Sequence, residues 1–243
     1  MKVAIGFFGI TRSLKYTIDS IRENVFDAFD SENVEFDVYV HCYFLTKYKN
    51  VRAKEYIENS SDIDNDEYKL LNPKYFKQDN QDDVAEKLNL KQYRTYPDHW
   101  KSDYDSTDKF ILAAYSKYML TSMINENIKE YDYVLFMRPD CLYLDKLKLD
   151  YLKLVTDTSV VIPNFHCCGN YNVNDRFAIT NTKNYKIYGE IYTQLLEISK
   201  KRDLHSETIL GMILIGKNSL SIQRVKFNFS RVRCDGRIVD KFP

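Results

Sequence analysis

Residues 1–21, MKVAIGFFGITRSLKYTIDSI, and residues 36–43, FDVYVHCY, carry the pattern that sets the fold. Val3–Gly9 is a short apolar run ending in glycine, as in a strand buried on both faces of a parallel sheet. Ser13 is placed to cap a helix from about Leu14 to Phe29. Ile18, Ile21, Val25 and Phe29 form its apolar stripe. Phe36–Tyr43 is a second strand. A β-α-β opening predicts an α/β fold with a central, mostly parallel sheet flanked by helices.

Further along, residues 45–105 are rich in Asn, Asp, Lys and Tyr and weakly periodic. They read as a large insertion, serving either as a lid or donor-binding segment or as a surface elaboration. Within it a strand is expected near Tyr75–Phe76 and a short helix over Asp82–Leu90. Trp100 sits in an aromatic, polar loop, YPDHWKSDY. Ser106 or Thr107 then caps a long helix to about Asn127, with Phe110, Ala114, Tyr118 and Thr121 on one face. Tyr131–Met137 is a strongly apolar strand, and Cys141–Leu144 continues extended. Val160–Pro163 and Phe177–Thr180 are further strands. Lys183–Lys200 and Ser206–Ile215 are helices, and Gln223–Val232 is a closing strand. No repeat or linker divides the chain, so 1–243 is expected to form one domain.

The chain carries 35 basic and 35 acidic residues, so its formal net charge is zero. That balance argues against bulk nucleic acid or an anionic membrane as partner. No apolar run reaches the roughly 20 residues that span a bilayer. The five cysteines are odd in number and include no C-x-x-C. A disulfide framework or zinc site is therefore not expected, and a reducing, cytoplasmic setting fits.

The strongest chemical signal is YDYVLFMRPDCLYL, residues 131–144. An apolar strand here delivers Asp140 to the carboxyl edge of the sheet, where open α/β sheets bind ligands. A carboxylate there can hold Mn2+ or Mg2+ and so neutralise a leaving diphosphate. The local pattern is Arg138-x-Asp140 rather than Asp-x-Asp, and the planar fork of Arg138 can contact a diphosphate itself. The alternative is that Arg138 and Asp140 merely end the strand and pair with neighbours. Asp145 is a weaker candidate for a second cation ligand.

Gly9, Thr11 and Arg12 follow the first strand, where backbone N–H groups can meet a phosphate or nucleobase. Asn174-Asp175-Arg176 forms a polar knot before an apolar run. Asp175 is a candidate general base, or alternatively a turn device. Glu207 begins a helix, where the dipole alone would favour a carboxylate, and His205 stands beside it. Arg231 and Arg233 share a strand face and can reach a phosphate or solvent. No Ser-His-Asp order, H-E-x-x-H or kinase motif set is present.

Taken in order, MKVAIGFFGITRSLKYTIDSI, YDYVLFMRPDCLYL, NVNDRFAI, KIYGEIY and LHSETIL resemble a family of GT-A-type glycosyltransferases. The family occurs in large DNA viruses of algae and protists and in some bacteria. The resemblance covers nearly the whole chain and is weakest from about Tyr48 to Asp105. It implies a nucleotide-sugar-binding half, 1–145, and an acceptor half, 146–243. It places Thr11 and Arg12 in the nucleotide loop, and Arg138 and Asp140 at the metal and diphosphate position. Asp175 and Glu207 fall in the acceptor half, with Arg176 and His205 beside them. The implied activity is sugar transfer from a UDP- or GDP-sugar to a glycan or protein acceptor. Asp175 is the expected base, and Glu207 with His205 the expected hydroxyl binder. A non-catalytic carbohydrate- or nucleotide-binding protein on the same scaffold is the alternative. A sugar nucleotidyltransferase fits less well, because GFFGITRS is poor in glycine.

Overall fold

The computed structural model describes residues 1–239. Among these residues, twelve strands are interspersed with helices. They are β1 (Lys2–Gly9), β2 (Glu35–Phe44), β3 (Tyr48–Asn50), β4 (Glu55–Ile57), β5 (Tyr75–Asn80) and β6 (Tyr133–Met137). They continue as β7 (Cys141–Tyr143), β8 (Ser159–Pro163), β9 (Phe177–Asn181), β10 (Ser221–Val225), β11 (Phe229–Val232) and β12 (Ile238–Val239). The main sheet has seven strands in the order β10-β8-β9-β6-β1-β2-β5. β9 runs antiparallel to both β6 and β8, and the other strands share one direction. β7, β11 and β12 form a small antiparallel sheet, and β3 pairs with β4 as a hairpin.

The chain winds outward from β1 through β2 to β5, then returns to β6 on the other side of β1. The strand order therefore reverses between β1 and β6. In an open α/β sheet the crevice beyond the carboxyl ends of such a pair is where a ligand fits.

The pleat of β1 sorts its side chains into two layers. Val3, Ile5 and Phe7 pack with Leu14, Ile18, Ile21, Val25 and Phe29. Ala4 and Phe8 face the long helix Asp105–Glu126, where Ile111, Leu120 and Ile124 are fully buried. Gly6 lies on that second face, and a Cβ there would meet Leu120 Cδ2 at 2.7 Å. The absent side chain lets the helix press directly onto the strand.

Several local expectations need correction. Ser13 makes no capping hydrogen bond, and its buried hydroxyl lacks a protein partner among the described residues. The helical stretch after it changes character, from 3-10 over Leu14–Tyr16 to α at Ile18–Ile21, π at Arg22–Phe26 and α at Asp27–Asp30. The expected stripe is buried nonetheless. The long helix is not capped by Ser106 or Thr107. Ser106 N donates to Ser102 Oγ at 3.0 Å, and Asp98 holds Ser102 by accepting from its N and Oγ, so an upstream serine supplies the acceptor at the helix start. The buried face of this helix includes Tyr115, Ser116 and Lys117, whereas Phe110 and Tyr118 are only half-buried. The helix expected over Lys183–Lys200 is interrupted between Tyr185–Gly189 and Tyr192–Ser199. Gln223–Val232 divides into β10 and β11, which belong to different sheets. Residues 45–105 are not wholly an insertion, because β5 extends the main sheet in register with β2.

Candidate functional site

A cavity of about 430 Å³ lies at the β1–β6 crevice. Gly9, Arg12, Arg138, Asp140, Asp175, Arg176, His205, Glu207, Arg231 and Arg233 all line it. Residues up to 224 positions apart in sequence thus converge on one space. Thr11 does not line the cavity. It is 3% exposed, and its carbonyl closes the turn to Leu14 N at 2.8 Å, which holds it inward. Gly9 adopts φ +104°, a left-handed backbone that glycine alone takes without strain. Its N–H is not available to a phosphate, since it donates to Ser116 Oγ at 2.8 Å.

One end of the cavity is an arginine cluster. Arg138 forks onto Asp140, with Nε–Oδ1 at 2.8 Å and Nη2–Oδ2 at 2.6 Å. Arg12 Nη1 lies 4.0 Å from the same carboxylate. Burial would raise the Asp140 pKa. The charge and hydrogen bonds of Arg138, with Arg12 and Arg231, outweigh burial and hold it below the ordinary carboxylate range. Arg138 nevertheless keeps 29% of its side chain exposed, so it faces the cavity. Behind them stands Glu55, a residue that nothing in its local sequence marks out. Its carboxylate accepts from Arg12 Nε and Nη2, from Arg233 Nη1 at 3.0 Å and from Cys234 N at 2.9 Å. The Tyr48 ring stacks under Arg12 at 4.5 Å. Arg12, Arg138 and Arg233 outnumber Asp140 and Glu55, which suits an anionic ligand.

The residues present do not fit a divalent cation at Asp140. Both its oxygens are engaged by Arg138, and no group of three His, Cys, Asp or Glu is placed to hold a metal among the described residues. Asp145 is occupied elsewhere, accepting from Asn228 N at 2.8 Å.

Beside the arginines lie two carboxylates, Asp175 and Glu207. Asn174 is fully buried and anchors the loop by accepting from Arg176 N and donating to Phe165 O. Asp175 comes next in the chain. Burial would raise its pKa, but the charges of Arg176, Arg138 and Lys117 and the Ser206 hydroxyl bring it below the ordinary value. Glu207 moves the opposite way, raised first by burial and then by the Asp175 charge. Its Oε2 accepts from Ser206 Oγ at 2.5 Å and stands 3.4 Å from His205 Nε2. Such a split pair contains one carboxylate that stays ionised and one better suited to exchange a proton. Lys117, which no sequence pattern singles out, is buried with its ammonium 4.0 Å from the Tyr188 ring centroid. Burial pushes its pKa down to about 7.

All five cysteines are free, and no helix among the described residues is long and apolar enough to cross a membrane. No family model matches the sequence, and no curated protein matches it. Solved structures do match. The galactosyltransferase LgtC, determined with donor and acceptor sugar analogs, is 14% identical with a TM-score of 0.47. That match covers 91% of this chain and 73% of LgtC. The apo form of the glycosyltransferase GlyE of Streptococcus pneumoniae TIGR4 is 11% identical with a TM-score of 0.43. It matches over 91% of this chain and 44% of its own. The chain therefore spans less than half of GlyE, and both scores are below 0.5. The fold assignment rests on the mostly parallel sheet itself.

Proposed function

We propose that the protein is a GT-A-type glycosyltransferase that moves a sugar from a UDP- or GDP-sugar to a glycan or glycoprotein hydroxyl. One observation carries this reading. An arginine cluster and a split carboxylate pair line a single cavity at the β1–β6 crevice. The arginines suit a diphosphate, which gains negative charge as the bond to the anomeric carbon breaks. The carboxylates suit a hydroxyl, which must give up its proton as it attacks that carbon.

In this reading Arg12, Arg138, Arg231 and Arg233 bind the diphosphate, and Gly9 lets the donor approach the β1 edge. Asp140 holds the Arg138 fork in position. The arginines do the work of a divalent cation, and no step passes through a metal. The two carboxylates exchange the roles expected from sequence. A depressed pKa makes Asp175 a weak base, whereas the raised Glu207 is matched to accept the acceptor proton. Asp175 then stabilises positive charge that develops on the sugar, with Arg176 orienting it.

A thermal-shift panel of UDP-, GDP-, CMP- and TDP-sugars, run in EDTA and again with manganese, tests the donor site. At about 100 times its Kd a true donor adds about 2.7 kcal/mol, or about 5–11 °C for a chain of this size. Stabilisation that required manganese would overturn the arginine reading, and no stabilisation by any donor would overturn the donor site. A second reading, a non-catalytic binder, is favoured by the closed Arg138–Asp140 fork. Release of free nucleotide, abolished in Glu207→Gln, separates the two.

A further inference from the structure

Trp100, His99 and His205 stand together at the cavity although 105 positions separate Trp100 from His205. The His99 and His205 rings are 4.2 Å apart and tilted by 38°. Trp100 lies 5.6 Å from His205 at 43°, and Arg52 flanks the indole at 5.8 Å. Trp100 and His205 both line the cavity. His99 stands edge-on to Trp100, at 80°, and buttresses the pair. We infer that Trp100 and His205 form a shelf for the apolar face of a pyranose ring, the acceptor sugar of the proposed transfer.

The setting favours a sugar over a nucleobase. A carboxylate borders the shelf within the cavity: His205 Nε2 lies 3.4 Å from Glu207 Oε2. A pyranose offers just this combination, a flat patch of C–H bonds ringed by hydroxyl donors. A ring seated there has its hydroxyls beside Glu207, the proposed proton acceptor. The shelf is also held in place. Asp98 accepts from Trp100 N at 3.2 Å and from Ser102 N, Ser102 Oγ, Tyr104 N and Thr107 Oγ1. Lys101, Asp103 and Tyr104 all take positive φ, at 52°, 53° and 63°. Such backbone persists where surrounding bonds over-determine it, and it clusters at ligand clamps.

The proposal rests on the sugar-transfer reading, and the test keeps the two apart. Trp100 is the only tryptophan in the chain, so its fluorescence reports on this shelf alone. Wild-type protein is titrated with the methyl β-glycosides of glucose, galactose and N-acetylglucosamine, with UDP, and with glycerol as control. The expected result is a saturable change in emission with at least one glycoside, persisting when UDP is bound. If UDP changes the emission and no glycoside does, the shelf belongs to the nucleobase and the inference falls. If no glycoside acts, or glycerol acts equally, while a nucleotide-sugar still raises Tm, the shelf is refuted and sugar transfer stands. If neither ligand class binds, both readings fall. In turnover, Trp100→Ala should raise the acceptor KM about tenfold with donor KM unchanged, and Trp100→Phe should restore it to within about threefold. Equal effects on donor and acceptor KM would mark a purely structural role.

Discussion

Replacing Glu55 by glutamine removes one negative charge from the most enclosed part of the molecule. The Glu55 side chain is 0% exposed, and its partners Arg12 and Arg233 are 4% and 12% exposed. Solvent screening is therefore slight. The substituted amide would keep part of the hydrogen bonding but leave the guanidinium groups of Arg12 and Arg233 with Asp140, already forked by Arg138, as the nearby counter-charge. Breaking a buried pair in this way costs about 3–5 kcal/mol. For a chain of this size each kcal/mol moves Tm by about 2–4 °C, so Glu55→Gln should lower Tm by about 6–20 °C. Differential scanning fluorimetry measures it. The same arginines face the cavity, so pyrophosphate should raise the Tm of Glu55→Gln by more than that of wild type. A loss below about 1 kcal/mol, or equal pyrophosphate effects on both proteins, would show that Glu55 is not the counter-ion of the cluster.

The rest of the site yields further expectations. Glu207→Gln should lower kcat by about 100-fold or more with donor affinity intact, the usual scale for loss of a general base; Asp175→Asn losing more than Glu207→Gln would restore the roles expected from sequence. Because the Glu207 pKa is raised above the ordinary 4.5, turnover should fall with pH as that carboxylate protonates, in a limb starting above 4.5. Asp140 has a depressed pKa, so its contribution to stability is fully present above 3.8 and is lost as pH falls below that value. Urea midpoints at several acidic pH values should show that loss in wild type and a flatter profile in Asp140→Asn. Lys117 has a pKa lowered from 10.5 to about 7, so the unfolded chain binds more protons between those values and stability rises with pH there. Lys117→Met should therefore gain more over wild type at about pH 7 than at about pH 9 in urea unfolding, and an equal gain at both would refute the buried, neutral lysine.

The parts of the structure that can be read from sequence are those with a local signature. The β1 run, the stripe Ile18, Ile21, Val25 and Phe29, and the apolar strand ending at Arg138 are governed by nearest-neighbour periodicity, and all are buried as that periodicity requires. Arg138, Asp140 and Asp175 are noticeable because each follows or precedes such a run. Glu55 is not. Its partners lie 43 and 178 positions away, and a glutamate in a polar stretch looks like any solvated one. Lys117 is hidden for a related reason: a lysine among the buried positions of Asp105–Glu126 breaks the apolar stripe, and the apolar residues alone trace a face one step around the helix. Trp100 is visible as a residue but not as a partner of His205, since stacking across 105 positions leaves no trace in spacing. The role of Ser102 as a helix-start acceptor, held by Asp98, escapes the sequence pattern because it works from outside the usual capping position.

The reversed strand β9 separates what this site can change from what it must keep. Asp175 and Arg176 are moored immediately before Phe177, the first residue of β9, which is locked between β6 and β8. The preceding stretch from residue 164 to 173 is tied down at both ends, by Asn164 N on Val225 O and by the Cys168–Val173 bridge, and Arg224 donates to Asn172 O at 2.8 Å. Of that stretch only His166 and Cys168 line the cavity, so lineages or a directed-evolution library can adjust the wall there while the acidic chemistry stays fixed to the sheet. A library confined to Cys168, exposed on the cavity wall, would sample specificity at little risk to the scaffold, whereas a side chain at Gly169 would collide with Thr208 and changes at Asp175 would strike the machinery itself.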